Sequence, residues 1–180
     1  MPRKIILPRD IEKRLRVLTM LKEESNGILL YQSRGDNCYV DSLYLTAIES
    51  PGHVQAMPER IKVANEFFAR HVEYGCVKFH THCRGTIKQF GRYYAQHFSE
   101  GDREVIKEQL AHDRDFIAML VTPEVMLVSG IDGQTIEVVP GFPEYQERRR
   151  RVSAEIKKIA RELGVEHERF TATELRSRMR

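Results

Sequence analysis

The sequence predicts an α+β fold in which a mixed sheet is flanked by helices. Three observations carry this reading. Strand-like runs with two-residue alternation are interspersed with stretches of helical periodicity. A Gly35-Asp36-Asn37 turn signal joins two of the strand runs into a hairpin. Further strand runs follow the third helical stretch.

The elements follow in order. After a short apolar start at Ile5-Ile6-Leu7, the segment from Pro8 to Glu24 carries Ile11, Leu15, Leu18 and Leu21 at helical spacing. This predicts a first helix that Glu24 closes. Gly27 then opens the run Ile28 to Tyr31, and beyond the turn lies the β-rich stretch Cys38 to Ile48. From Pro58 to about Tyr74, Ile61, Ala64, Phe67 or Phe68, and His71 fall near one helical face, with the proline at an allowed first position. The next strand, Val77 to His82, puts Val77, Phe79 and Thr81 on one face and Lys78, His80 and His82 on the other. A polar stretch from Cys83 to His97 reads as a loop. It leads to Ser99-Glu100-Gly101-Asp102 and a third helix through Val105, Ile106, Gln109 and Leu110. Strand runs at Phe116 to Val121, Val125 to Val128 and Gln134 to Val139 follow, the last after a turn at Gly130 to Gly133.

Beyond Pro140-Gly141-Phe142-Pro143 the composition changes, which divides the chain into a domain over residues 1–143 and a basic helical tail over 144–180. The tail holds 11 Lys or Arg against 7 Asp or Glu, whereas the other 143 residues hold 18 against 19, so the net charge of +3 belongs to the tail. Arg148 to Arg151 with Lys157, Lys158 and Arg161 could contact phosphates, but the interspersed acids suit an ordinary solvated helix better than a nucleic-acid binder. No apolar run approaches the ~18 residues of a bilayer span. Nor does the amino terminus show a signal-peptide pattern. Three cysteines, Cys38, Cys76 and Cys83, form no CxxC pair, and their odd number argues against a disulfide framework. The expected location is cytoplasmic.

Candidate chemistry begins with His80 and His82. Spaced i and i+2 on a strand, they lie about 6.6–6.8 Å apart along the backbone and point to one side, so both imidazoles can converge on one ion. A catalytic zinc needs a third protein ligand and an open position. Asp102, at a helix start and on the side of Val105 and Ile106, is the best candidate, with His97, Cys83 and His112 as competitors. On the residues alone the alternatives stay open. A His-Thr-His pair also occurs as hydrogen-bonded or solvated histidines, Ser99 with Asp102 also has the form of a capping box, and Glu24 also reads as a solvent-facing neighbour of Glu23.

Taken together, Glu24-Ser25-Asn26-Gly27-Ile28-Leu29, then Phe79-His80-Thr81-His82, then Ser99-Glu100-Gly101-Asp102 resemble the motifs of the JAMM, or MPN-plus, zinc metalloproteases, in order and in element type, over roughly Ile5 to Val139. Cys83 stands where that family has a proline, and the spacer from Cys83 to Phe98 is longer than the family's. The resemblance implies a curved sheet of the MPN or cytidine-deaminase-like kind, with zinc held by His80, His82 and Asp102. It implies further that Glu24 is general acid and base and that Ser99 stabilises a tetrahedral intermediate. The implied activity is hydrolysis of peptide or isopeptide bonds in a protein or peptide substrate, often at the carboxyl end of ubiquitin-like proteins. Deaminase chemistry is disfavoured because its Pro-Cys-x-x-Cys ligand pair is missing. A non-catalytic scaffold of the same fold is the alternative, although a scaffold has no need of a glutamate that is not a ligand.

Overall fold

A computed structural model of the chain describes residues 4–49, 57–129 and 135–165. The element order is β1 (Lys4–Pro8), α1 (Arg9–Thr19), β2 (Glu24–Arg34), β3 (Asn37–Glu49), α2 (Pro58–Arg70), β4 (Tyr74–Thr81), α3 (Arg84–Phe90), α4 (Arg92–Ala95), α5 (Glu100–His112), β5 (Ala118–Val121), β6 (Met126–Ser129), β7 (Thr135–Val139) and α6 (Tyr145–Glu162). The expected turn at Gly130 to Gly133 lies outside the described residues.

The α+β class and the mixed sheet are as expected. Seven strands lie in the order β6-β5-β4-β2-β3-β1-β7. The β2–β3, β2–β4 and β5–β6 pairs are antiparallel, and β1–β3, β1–β7 and β4–β5 are parallel. The edge strands β6 and β7 come into contact, so the sheet is curved almost to closure. The β2–β3 hairpin turns at Gly35, whose φ of +57° is left-handed and favours glycine.

One sheet face packs on α1. Ile11, Leu15 and Leu18 meet Leu7, Leu29, Val77, Phe79 and Met119 in one buried apolar cluster. The other face carries Ile28, Leu30 and Tyr44, covered by Val63, Ala64 and Phe67 of α2 and by Val152, Ile156 and Ile159 of α6. Further along this second face, α5 lays Ile106 over Phe116 and Ala118. Among the described residues, no helix is long and apolar enough to cross a membrane.

Four expectations are corrected. Helix α1 ends at Thr19, and Glu24 opens β2 instead of closing the helix. Leu21 is buried in register with the helix stripe, so periodicity continued past the point where the backbone turns. Helix α2 stops at Arg70 with His71 as its C-cap, and its inward face is Arg60, Val63, Ala64 and Phe67. Ile61 is only half-buried. The stretch after His82 is a pair of short helices, α3 and α4, joined at Gly91, and not an open loop.

The fourth correction concerns the tail. Its helical character holds over Tyr145–Glu162, where α6 is built into the domain and is not appended to it, and residues 166–180 lie outside the described residues. Beyond its apolar stripe, the buried Arg148 donates to Asp41 Oδ1 at 3.0 Å and to Gln32 Oε1 at 2.9 Å. Tyr145 donates to Asp10 Oδ1 at 2.9 Å, and Arg149 also pairs with Asp10. Phe142, in the expected linker, lies under the Arg148 guanidinium at 5.1 Å.

Candidate metal centre

The site lies on the sheet face that carries α2, α5 and α6, in the groove between β4 and the start of α5. Strand alternation sends Val77, Phe79 and Thr81 into the opposite side, where all three are buried, and leaves Lys78, His80 and His82 facing the groove. β2 runs antiparallel alongside, with Asn26 opposite His80 and Gly27 opposite Phe79. Gly27 is required here, because a Cβ would meet the Tyr44 carbonyl oxygen at 2.5 Å and the Phe79 ring at 2.7 Å. That close approach seats the start of β2, and with it Glu24, at the groove.

Across the groove, α5 begins with a complete capping box. The Asp102 N–H donates to Ser99 Oγ at 3.1 Å, and the Ser99 N–H donates to Asp102 Oδ2 at 2.8 Å. The Ser99 hydroxyl also donates to Oδ2, at 2.6 Å. Both Ser99 donors therefore hold one carboxylate oxygen, and the other, Oδ1, points at His80 Nε2 from 3.5 Å. Asp102 Oδ2 is 4.0 Å from His82 Nε2.

Potential ligand atoms of His80, His82 and Asp102 lie within 4.8 Å of one another, and among the described residues no other group of His, Cys, Asp or Glu does so. Tetrahedral coordination at about 2.0–2.1 Å brings neighbouring ligands to about 3.4 Å, so small side-chain rotations complete the set. Two further observations fit a metal. His80 Nε2 is buried without a hydrogen-bond partner, an arrangement that costs stability unless something fills it. His82 Nδ1–H donates to the Ala95 carbonyl at 3.0 Å, which fixes the tautomer with a bare Nε2 facing the groove.

The electrostatics point the same way. Burial pushes His82 below the usual histidine range and a neighbouring His80 charge adds to this, while the Ala95 carbonyl, Glu24 and Asp102 act in the opposite sense. Burial alone would raise Asp102, but His80 and the Ser99 donors outweigh it and hold the carboxyl well below the ordinary carboxylate range. A deprotonated Asp102 and a His82 whose charged form is disfavoured are both suited to hold a divalent cation.

Glu24 is buried in the same cavity, which has a volume of about 420 Å³ and also takes in Asn26, Thr86 and Ser99. It accepts a 2.5 Å hydrogen bond from the Thr86 hydroxyl. Thr86 is held in turn by the Cys83 N–H at 3.3 Å. All five residues expected from the sequence therefore line one cavity.

The competing ligands lie elsewhere. Cys83 is buried at the N-cap of α3, with its Sγ 3.5 Å from Thr86 Oγ1. His97 and His112 are exposed and donate through Nδ1 to carbonyls of their own helical turns. Sequence reasoning missed Thr86, Ala95 and Asn26. Only the Ser/Thr-type hydroxyl three residues beyond an N-cap could have flagged Thr86.

No protein-family model matches the chain, and no curated protein matches it. Among solved structures, the fold is similar to the solution structure of protein DSY2949 from Desulfitobacterium hafniense, at 17% identity and a TM-score of 0.52, covering 78% of this chain and 96% of that one.

Proposed function

We propose that this chain is a zinc-dependent hydrolase of the JAMM type, cleaving peptide or isopeptide bonds, with a curved MPN or cytidine-deaminase-like sheet as its scaffold. The observation that carries the reading is the meeting of two kinds of group in one cavity: three convergent ligands, His80, His82 and Asp102, and a buried carboxyl group, Glu24, that belongs to no ligand set. A buried carboxyl group is costly without a purpose, and here Thr86 holds it in one orientation. That favours catalysis over a binding scaffold.

Zinc held by these three residues supplies Lewis-acid polarisation of a carbonyl and a more acidic water. The chain does the rest. Glu24 accepts a proton from the attacking water as its oxygen bonds to the acyl carbon, and returns that proton to the nitrogen as the carbon–nitrogen bond breaks. Ser99 keeps Asp102 in place through both its donors. Its hydroxyl reaches a developing oxyanion by turning away from Oδ2, so Ser99 serves the ligand first and the substrate second.

The test is hydrolysis of peptides and of a ubiquitin-like fusion by the zinc-loaded chain, set beside Glu24→Gln. The variant is expected to keep its metal and lose turnover by about 10²–10⁴-fold. Unchanged turnover in Glu24→Gln would remove the acid–base assignment.

A further inference from the structure

The groove continues past the ligands to a cation. Lys78 shares the face of His80 two residues away on β4, and α5 tracks β4 from Asp102 to Gln109, which accepts from Lys78 Nζ at 3.3 Å. The ammonium also sits 5.2 Å above the Phe116 ring. Both of these partners are neutral. Lys78 is exposed at the rim of the cavity, with its ammonium against the Gln109 amide and the Phe116 ring. Between the ligands and Lys78 the floor is apolar: Ile106, Phe116 and Ala118 are buried there and Phe98 packs on them. The Phe98 ring stands 6.0 Å from that of His80. The cavity thus has a polar end at the ligands, an apolar middle and a positively charged rim.

We propose that this second half of the cavity is a subsite for a carboxyl-terminal apolar residue, with Lys78 binding its terminal carboxylate. The inference rests on the hydrolase reading for the chemistry at the ligands, and on the groove alone for recognition. Lys78 and His80 are two positions apart on β4, about 6.6–6.8 Å along the backbone. One amino-acid residue spans about 3.3–3.6 Å. A charge-assisted hydrogen bond adds about 2.8 Å. The backbone spacing of the two side chains is of the same order as one residue plus a hydrogen bond, so the proposed subsite takes a single residue beyond the cleaved bond, with its side chain over Phe98, Ile106 and Phe116. Water added across that carbon–nitrogen bond yields a shortened acid and a free apolar amino acid.

The probe is a non-hydrolysable analogue of acetyl-glycyl-leucine in which methylene replaces the amide nitrogen, titrated into the full-length chain and followed by NMR. Two further forms accompany it: the carboxamide, and a version extended by aspartate amide that offers only a side-chain carboxylate. The free acid is expected to bind about 10–100-fold more tightly than the carboxamide and more tightly than the aspartyl form. Lys78→Met should erase that preference and Lys78→Arg should keep it. Equal affinity of acid and carboxamide, a preference that survives in Lys78→Met, or tightest binding of the aspartyl form would each overturn the subsite. Hydrolysis of acetyl-glycyl-leucine itself separates the two claims. An intact preference without hydrolysis keeps the subsite and fails the hydrolase, and hydrolysis without a preference does the reverse.

Discussion

The Thr86 hydroxyl donates a 2.5 Å hydrogen bond to Glu24 Oε1, tying the first residue of β2 to a helix 62 residues further along the chain. The same hydroxyl accepts from the Cys83 N–H, and because an ionised carboxylate can only accept, its single proton is the one shared with Glu24. Thr86→Val removes that donor at nearly constant volume. The variant is expected to retain its metal while kcat falls about 10–100-fold with KM little changed, and Thr86→Ser should restore most of the loss. Turnover at the parental rate in Thr86→Val would show that Glu24 needs no such support.

How much of this was legible follows from how local each signal is. His80 and His82 could be placed on one face because strand alternation is a two-residue property. Ser99 and Asp102 were legible because a capping box spans one turn. Glu24 was found by its motif but assigned to the wrong element, since Leu21 extends the apolar spacing of Ile11, Leu15 and Leu18 beyond the end of α1 at Thr19. The α3–α4 segment carries no apolar stripe to read. Its buried anchors are Thr86 and Ala95, one polar and one small. Helix α6 looked solvated because its charges outnumber Val152, Ile156 and Ile159, and because one of its arginines, Arg148, is itself buried. The placement of β1 between β3 and β7 rests on long-range pairing that no local pattern announces.

Cys83 offers a direct check on the ligand set. It sits at the N-cap of α3, outside the convergent group, with its Sγ directed to Thr86. Cys83→Ala is expected to keep its zinc, and X-ray absorption of the parent should show nitrogen and oxygen scatterers only. Metal loss in this variant, or a sulfur scatterer at about 2.3 Å, would mean a closed structural site instead.

Arg148 tests whether α6 belongs to the domain. Arg148→Met leaves the Asp41 carboxylate buried without its cation, an expected loss of about 3–5 kcal/mol by urea unfolding at neutral pH. Burial already raises Asp41 above its ordinary pKa of 3.8, and Arg148 opposes that rise. The variant therefore raises it further. A carboxyl group with a raised folded pKa stabilises most when protonated, so the gap between variant and parent should shrink as pH falls through the raised value. A gap of the same size at neutral and acidic pH would remove Asp41 from the account. Deleting residues 144–180 takes away Tyr145, Val152, Ile156 and Ile159 together, and cooperative unfolding is expected to be lost.

The central claim is that His80, His82 and Asp102 hold one zinc ion, and elemental analysis of the purified chain tests it most directly. The expected result is close to one zinc per chain, falling to a small fraction in His80→Ala, His82→Ala and Asp102→Ala proteins that still unfold cooperatively. Zinc at parental stoichiometry in the His80→Ala/His82→Ala double variant, or no zinc bound by the folded parent chain when zinc is supplied, would contradict it.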